Sequence, residues 1–299
     1  MIKSLSADEL IEAHRDGGEY VEIEGLRVFY RRSGPEGGIP LVLTHGIPRS
    51  SFLYRKMIPI LAEHHPVIAW DLYGFGLSDK PQDRKRYRFP EFERFLGKFF
   101  DVLGIEQAHL VCHDVGGPFS IGYAVHNPRR VATLTILDTT IFLRDFRIPG
   151  PVLLSILTPL AAQELLSSDE RYLSLLLRYM QWKAVDHPEA LSGTEGEAWA
   201  KLISREGGMI TLARTLKSYR VVLPYLLRLQ RELHRFDRST LVLWGKHDPF
   251  CTLPTAARFM RIIPDCELRV ISDAAHFIQE DAPEETSEGI LDFIRRKCP

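Results

Sequence analysis

The sequence feature that most restricts the fold is a series of short apolar runs separated by segments of helical periodicity. Such runs end abruptly in glycine or aspartate at residues 40–46, 66–71, 109–114 and 131–138. An apolar run without polar alternation is typical of a strand buried on both faces. Because helices intervene, the strands are expected to pair in parallel. The sequence therefore predicts an α/β fold with a mostly parallel sheet flanked by helices.

The remaining predicted elements follow the same scheme. Two strands joined by a tight turn come first, and further strands lie towards the carboxyl terminus. The first pair occupies residues 20–33, and the later strands occupy 240–245 and 267–272. The predicted helices cover residues 50–63, 89–104, 117–128, 254–262 and a last segment from Pro283.

One long segment interrupts the alternation. Residues 139–239 separate two predicted strands, although a crossover needs only about a dozen residues. This segment has helical character and contains several prolines. We therefore predict a core domain formed by residues 1–144 and 236–299, with an inserted helical cap at 145–235. Caps above the carboxyl edge of a sheet commonly enclose a ligand pocket.

Composition excludes several classes of function. A net charge of −1 favours neither nucleic acid nor a membrane surface. The four cysteines show no zinc or disulfide spacing, and no phosphate loop or nucleotide fingerprint is present. We expect no metal, no cofactor and a small-molecule partner. The first residues contain no apolar signal segment, which predicts a cytoplasmic location; a monomer and a homodimer both remain open.

The stretch HLVCHDVGGPFSIGYAV, residues 109–125, contains the clearest chemical signal. Asp114 lies at a strand–turn–helix corner with the layout of a nucleophile elbow. The positions two residues before and after it need small side chains, and they hold Cys112 and Gly116. Cys112 departs mildly from the usual glycine. Taken alone, Asp114 could simply be a helix N-cap.

Two later residues complete a possible catalytic group. An aspartate is ionised at neutral pH and can attack an electrophilic carbon directly, forming an ester. Hydrolysis of that ester needs a general base, which His276 can provide after the last predicted strand. Asp248 follows the preceding strand and can orient the imidazole. Asp138, after the strand at 131–138, is the alternative acid.

Ester hydrolysis also creates an oxyanion, which needs two converging N–H donors. The backbone N–H of Val115 directly follows the proposed nucleophile. The second donor is expected from the segment THGIP, after the strand at 40–44, and Ile47 is the candidate.

These motifs resemble the α/β-hydrolase superfamily, in its epoxide hydrolase and haloalkane dehalogenase branch. The resemblance runs from about residue 20 to the end and is weakest in the cap. The matching positions are His45-Gly46-Ile47-Pro48, Asp71, Gly74-Phe75-Gly76, Ser78-Asp79, His113-Asp114-Val115-Gly116-Gly117, Asp248-Pro249 and His276. The resemblance implies an aspartate nucleophile at Asp114.

The resemblance also helps to choose between the two activities. In a dehalogenase it implies an Asn after His-Gly and a Trp after the nucleophile, but this chain has Ile47 and Val115. In an epoxide hydrolase it implies cap tyrosines that protonate the leaving oxygen. The segment TLKSYRVV supplies Tyr219, and Tyr179 or Tyr172 is the candidate for a second donor.

We therefore predict a hydrolase that acts through an aspartyl ester, with a small to medium apolar epoxide as substrate. Trp182, Phe142 and Tyr179 are predicted to line its pocket. One alternative is a haloalkane dehalogenase whose halide donor comes from the cap, for example Trp182. Another is a non-catalytic ligand receptor, although a receptor has no need of an acid–histidine pair. A serine esterase is disfavoured because no serine occupies the elbow.

We expect structural roles for two acidic residues near the carboxyl terminus. Glu280 and Asp281 follow His276 closely, and the segment DAPE resembles a capping box. In that interpretation Asp281 is the N-cap of the last helix and Glu284 is its third residue.

Overall fold

A computed structural model describes residues 5–159, 175, 178–179, 182–191 and 193–298. Its centre is one eight-stranded sheet with the order β1-β2-β4-β3-β5-β6-β7-β8. The strands are β1 (Glu19–Ile23), β2 (Leu26–Ser33), β3 (Leu41–Thr44), β4 (Val67–Trp70), β5 (Ala108–His113), β6 (Val131–Leu137), β7 (Thr240–Gly245) and β8 (Cys266–Ile271). β2 pairs antiparallel with β1 and with β4, and the other neighbours pair in parallel. The predicted fold class is confirmed.

Helices cover the sheet and continue beyond it. In the described part of the chain they are α1 (Ala7–Asp16), α2 (Met57–Ala62), α3 (Phe89–Val102), α4 (Gly116–His126), α5 (Gly150–Leu157), α6 (Gly193–Ser204), α7 (Gly208–Ser218), α8 (Leu223–Glu232), α9 (Leu253–Ile262), α10 (Ile278–Asp281) and α11 (Pro283–Lys297). None of these helices has the length and apolar character that a bilayer span requires.

The apolar runs are strands because helices cover both of their faces. Every residue of β3, β4, β5 and β7 is buried. The buried face of α3 is rich in phenylalanine, and the rings of Phe95 and Phe99 stack on Trp70 of β4 at 6.5 and 4.6 Å. Such packing buries both sides of the sheet, which is the main source of its stability.

The helix predicted at 50–63 is divided. A 3₁₀ turn spans Ser51–Tyr54, and α2 begins only at Met57. The first turn is held by tertiary hydrogen bonds: Ser51 N–H donates to Asp71 Oδ1 at 2.6 Å, and the Tyr54 hydroxyl donates to the Thr44 carbonyl at 2.9 Å. These contacts fix the chain to the sheet edge, which helical periodicity alone could not predict.

The interval between β6 and β7 is helical where it is described, with α5, α6, α7 and α8. An ion-pair cluster joins α6 to the core. Glu280, whose side chain is fully buried, accepts two hydrogen bonds from the Arg55 guanidinium, at 2.6 and 2.9 Å. It also accepts from the Trp199 indole at 3.1 Å and pairs with Lys56 at 3.1 Å. Glu195 at the start of α6 pairs with both cations.

The predicted capping box is wrong. Ala282 is the N-cap of α11, and no side chain caps that helix. The carboxylate of Asp281 instead accepts from the backbone N–H groups of Asp186, His187 and Ala275 at 2.9–3.1 Å. These bonds tie the segment before α6 to the loop that carries His276.

Candidate active site

The candidate site lies at the carboxyl edge of the parallel strands. Asp114 follows β5, Asp248 follows β7 and His276 follows β8. Since parallel strands end at a common edge, side chains from distant parts of the chain meet there. The three predicted residues lie together at this edge.

Close backbone packing shapes the corner that holds Asp114. Its φ of +49° lies in the left-handed region, which is unusual for a residue other than glycine. Two glycines allow the neighbouring segments to approach. A Cβ on Gly46 would lie 2.3 Å from Asp114 Cβ, and one on Gly116 would lie 2.4 Å from the His45 carbonyl. Cys112 is tolerated because its thiol is turned towards β6 and contacts the Thr135 carbonyl at 3.5 Å.

A chain of contacts links the three side chains. Asp114 Oδ2 lies 3.3 Å from His276 Nε2, and His276 Nδ1 lies 2.9 Å from Asp248 Oδ2. The other oxygen of Asp248 accepts from the N–H groups of Phe250 and Cys251 at 2.7 and 3.0 Å. Both Asp248 oxygens are therefore bonded, and the imidazole is held between two carboxylates.

The alternative acid, Asp138, lies beside this chain without joining it. It is fully buried, and its Oδ1 accepts from Gly245 N–H at 3.0 Å, but it forms no hydrogen bond with His276. Burial, followed by the charge of Asp248, raises the pKa of Asp138 well above its usual value. The geometry favours Asp248 as the partner of His276, next to an Asp138 whose pKa is raised.

The first oxygen of Asp114 occupies the predicted oxyanion position. Ile47 N–H donates to Asp114 Oδ1 at 2.8 Å, and the Val115 N–H also donates to this carboxylate. Burial opposes ionisation of Asp114, but the hydrogen bond and charge of His276 outweigh burial. The pKa of Asp114 is consequently lowered, so the side chain is a carboxylate at neutral pH.

The two carboxylates have the opposite effect on His276. Burial lowers the pKa of His276, whereas the charge of Asp248 and the contacts with Asp114 raise it. The resulting pKa is well above the usual 6.5. The neighbouring His113 is neutral, because burial and the charge of His276 lower its pKa to about 3. His113 Nε2 contacts the His276 carbonyl at 2.8 Å and so fixes the backbone of the loop. The unesterified site thus holds an imidazolium between two carboxylates.

Tyr219, the predicted proton donor, directly follows α7. Its ring packs against Phe89 and Phe146, with centroids 5.3 and 6.3 Å away. Burial raises the pKa of its hydroxyl well above 10, and the charge of Asp114 raises it further. The hydroxyl is therefore protonated, and it forms no hydrogen bond with the described residues.

The three predicted lining residues differ in their positions. Trp182 is 69% exposed and has the Lys183 ammonium 4.0 Å from its ring centroid, so it lies at the surface and does not line an enclosed pocket. Phe142 is buried against Phe259 in the core. Tyr179 is half-buried and packs against the core, whereas Tyr172 lies outside the described residues.

Cys251 brings a third potential metal ligand close to Asp248 and His276. Their ligand atoms lie within 4.8 Å of one another. Burial and the charges of neighbouring aspartates raise the pKa of the Cys251 thiol well above its usual value. A protonated thiol is a poor metal ligand, and the imidazole is already bonded on both sides. The group is better described as part of the acid–histidine arrangement.

Sequence reasoning did not identify Arg49 as a site residue. It follows the oxyanion segment directly and is 3% exposed. Its position next to Ile47-Pro48 was the available signal, but an arginine between a proline and two serines is also typical of an exposed turn. Its burial depends on Trp199 of α6 and on Phe277, which are remote in sequence.

We predict that Asp114→Asn lowers the pKa of His276, because it removes a negative charge next to Nε2 while retaining shape. NMR titration of the imidazole should show an imidazolium that persists above pH 6.5 in the wild type and deprotonates at lower pH in the variant. Asp265→Asn is the control, since Asp265 pairs with Lys297 at 2.6 Å and precedes β8, at the opposite end of that strand from His276. An unchanged titration in Asp114→Asn would contradict the described contact.

Comparisons with known proteins identify the family of this chain. The family described as alpha/beta hydrolase fold matches residues 39–283. Haloalkane dehalogenase 2 of Mycobacterium tuberculosis is 29% identical over 275 residues, which cover 89% of this chain and 91% of that protein.

Solved structures show the same fold at lower identity. A putative ancestral haloalkane dehalogenase superposes with a TM-score of 0.80 at 24% identity, covering 93% of this chain and 98% of that one. The epoxide hydrolase CorEH superposes with a TM-score of 0.74 at 23% identity, with the same coverage. The family match spans most of the sequence, and the chain therefore belongs to the alpha/beta hydrolase fold family.

Proposed function

We propose that this hydrolase cleaves a small organic electrophile through a covalent ester on Asp114, and that the electrophile is an epoxide. The observation that carries the proposal is that the two Asp114 oxygens have different partners. Oδ1 accepts from the Ile47 N–H, while Oδ2 faces His276 Nε2 at 3.3 Å. In this proposal residues 145–235 form the cap, which supplies Tyr219.

The first step is attack on carbon. Asp114 Oδ2 forms a bond to an epoxide carbon, and the carbon–oxygen bond of the ring breaks. The departing alkoxide takes the proton of the Tyr219 hydroxyl, which burial keeps protonated. The product is a hydroxyalkyl ester of Asp114 and a tyrosinate.

Esterification then changes the charge balance around His276. The negative charge near Nε2 disappears, so the pKa of His276 falls. The imidazolium can now return a proton to the tyrosinate through water and become neutral. The imidazolium of the unesterified site thereby becomes a general base only after the ester has formed.

The second step is hydrolysis of the ester. His276 takes a proton from water, and the hydroxide attacks the carbonyl carbon of Asp114. The N–H groups of Ile47 and Val115 hold the resulting oxyanion. Collapse releases the diol, whose second oxygen takes the proton of the hydroxyl added to the carbonyl carbon, and restores the Asp114 carboxylate with a protonated His276. The sum is one epoxide and one water converted to one diol.

An epoxide is favoured over a haloalkane because the side-chain donors expected for a halide are missing at two positions of the described site. Neither Ile47 nor Val115 carries a side-chain N–H. The Trp182 indole belongs to an exposed residue, and the Trp199 indole already donates to Glu280 at 3.1 Å. The buried Tyr219 hydroxyl suits a leaving group that needs a proton.

Haloalkane dehalogenation is the second candidate. It is favoured by the M. tuberculosis relative, which carries that name and aligns over most of both chains. The ester on Asp114 and its hydrolysis would be the same, and only the leaving group would differ.

Intact-protein mass spectrometry of His276→Ala tests the proposal. Without the base, the ester should form and accumulate when the variant is incubated with a panel of epoxides. We expect a mass increase equal to the whole epoxide, located on the peptide that contains Asp114. A panel of haloalkanes, examined separately, would add the alkyl group without the halogen if the second candidate is correct.

Two variants control this experiment. Asp114→Asn combined with His276→Ala should give no adduct, and His64→Ala, which changes an exposed histidine, should accumulate none. If neither panel modifies His276→Ala, the ester mechanism is contradicted for both leaving groups.

Tyr219→Phe distinguishes the two leaving groups. Loss of a proton donor typically costs about 10²-fold in rate, so kcat/KM for an epoxide should fall by about that factor. Steady-state kinetics with a haloalkane should be unaffected. Tyr20→Phe, at the antiparallel edge of the sheet, should behave as the wild type. Unchanged epoxide kinetics in Tyr219→Phe would remove this tyrosine from the mechanism.

A further inference from the structure

Arg49 is a buried cation that has no direct counterion among the described residues. It is 3% exposed, and its guanidinium forms no ion pair or hydrogen bond with the described residues. Burial lowers its pKa to about 10, so it remains charged at neutral pH. A buried charge without a hydrogen-bonded partner is costly and rare in folded proteins. Some other group is therefore expected to offset it.

Two aromatic rings hold the guanidinium in place. Arg49 Cζ lies 4.1 Å from the Trp199 ring centroid and 4.3 Å from the Phe277 centroid. Such cation–π contacts fix the position of the guanidinium but do not use its N–H groups. The N–H donors therefore remain available to a ligand that approaches in the plane of the group.

The nearby acidic groups are already engaged elsewhere. Glu280 accepts from Arg55 and Trp199, and Asp114 accepts from Ile47 N–H and faces His276. Their charges act on Arg49 only through space, in part against the charge of Arg55. Neither carboxylate forms an ion pair with Arg49, so no described carboxylate takes the place of an anion from outside the chain.

The location of Arg49 relates that anion to the chemistry. Arg49 follows Ile47-Pro48, and one of its two ring partners, Phe277, directly follows His276. The charge of Asp114 also affects the pKa of Arg49. An anion held by this guanidinium would lie close to the nucleophile, where the non-reacting end of a substrate is expected.

We propose that Arg49 binds a carboxylate carried by the substrate and so selects acidic electrophiles over neutral ones. This inference rests on the proposed function, because it assumes that Asp114 attacks the same molecule. A carboxylate is the ligand whose two oxygens match the planar N–H fork of arginine.

Binding of unreactive probes tests the inference separately from catalysis. Titration calorimetry would compare 3-phenylpropanoate with 3-phenylpropanamide, which has nearly the same shape and no charge. We expect the wild type to bind the carboxylate at least about 10-fold more tightly, consistent with a charge-assisted hydrogen-bonded pair. Arg49→Met should abolish the preference, and Arg49→Lys should retain only part of it.

Arg258→Met is the matched control, since Arg258 also lies over a ring, that of Phe142, but pairs with Asp145. It should leave the preference intact. Thermal melting of the ligand-free proteins gives a second readout: removing an uncompensated buried charge should not lower the melting temperature of Arg49→Met. If Arg49→Met had a lower melting temperature and its affinity for the two probes fell equally, Arg49 would be a structural residue and the inference would be overturned.

Two other results would also overturn it. One is a wild type without preference for the carboxylate, or a preference that survives in Arg49→Met. The other is binding of bromide that depends on Arg49 while the carboxylate does not bind, which would assign the cation to a halide. Because neither probe reacts, failure of the ester mechanism would appear instead as missing adducts on Asp114.

Discussion

The left-handed corner at Asp114 is the constraint on which the site depends. Holding a residue other than glycine at φ +49° costs roughly 1–2 kcal/mol. The surrounding structure offsets that cost: Gly117 N–H donates to the Asp114 carbonyl at 2.9 Å, and the Thr139 hydroxyl donates to the same oxygen. The corner turns the carboxylate out of the sheet edge and brings the Val115 N–H to it. The close approach of Gly46 then places the Ile47 N–H beside Oδ1.

The protonation of His276 is set by the charged groups around it. In the resting site an imidazolium lies between two carboxylates, with a neutral His113 beside it and with Asp138, whose pKa is raised, close to Asp248. Each of these pKa shifts results from burial together with the charges of neighbouring side chains. The proposed ester removes one carboxylate charge and so lowers the pKa of His276 at the stage where a base is required. Arg49 adds a cation whose partner is not within the described chain.

The sequence predicted the core and the residues at the sheet edge well, because both depend on local patterns. Continuous apolar runs identify buried strands, and parallel pairing brings the residues after β5, β7 and β8 to one edge. Contacts between distant segments were not predictable. Arg49 contacts the rings of Trp199 and Phe277, and Asp281 accepts from backbone N–H groups of the distant Asp186 and His187 instead of capping α11. Trp182 was assigned to a pocket from residue type, whereas its position depends on how the interval between β6 and β7 packs.

The most direct test of the ester mechanism follows the oxygen of water through one turnover. The wild-type enzyme, in excess over an epoxide, would react in water enriched in oxygen-18, and both the diol and the peptide containing Asp114 would be analysed by mass spectrometry. The account predicts that the label enters the Asp114 carboxylate and that the first diol carries unlabelled oxygen, because water attacks the ester carbonyl. Label in the diol and none in Asp114 would mean that water attacks the epoxide directly, which would contradict the account.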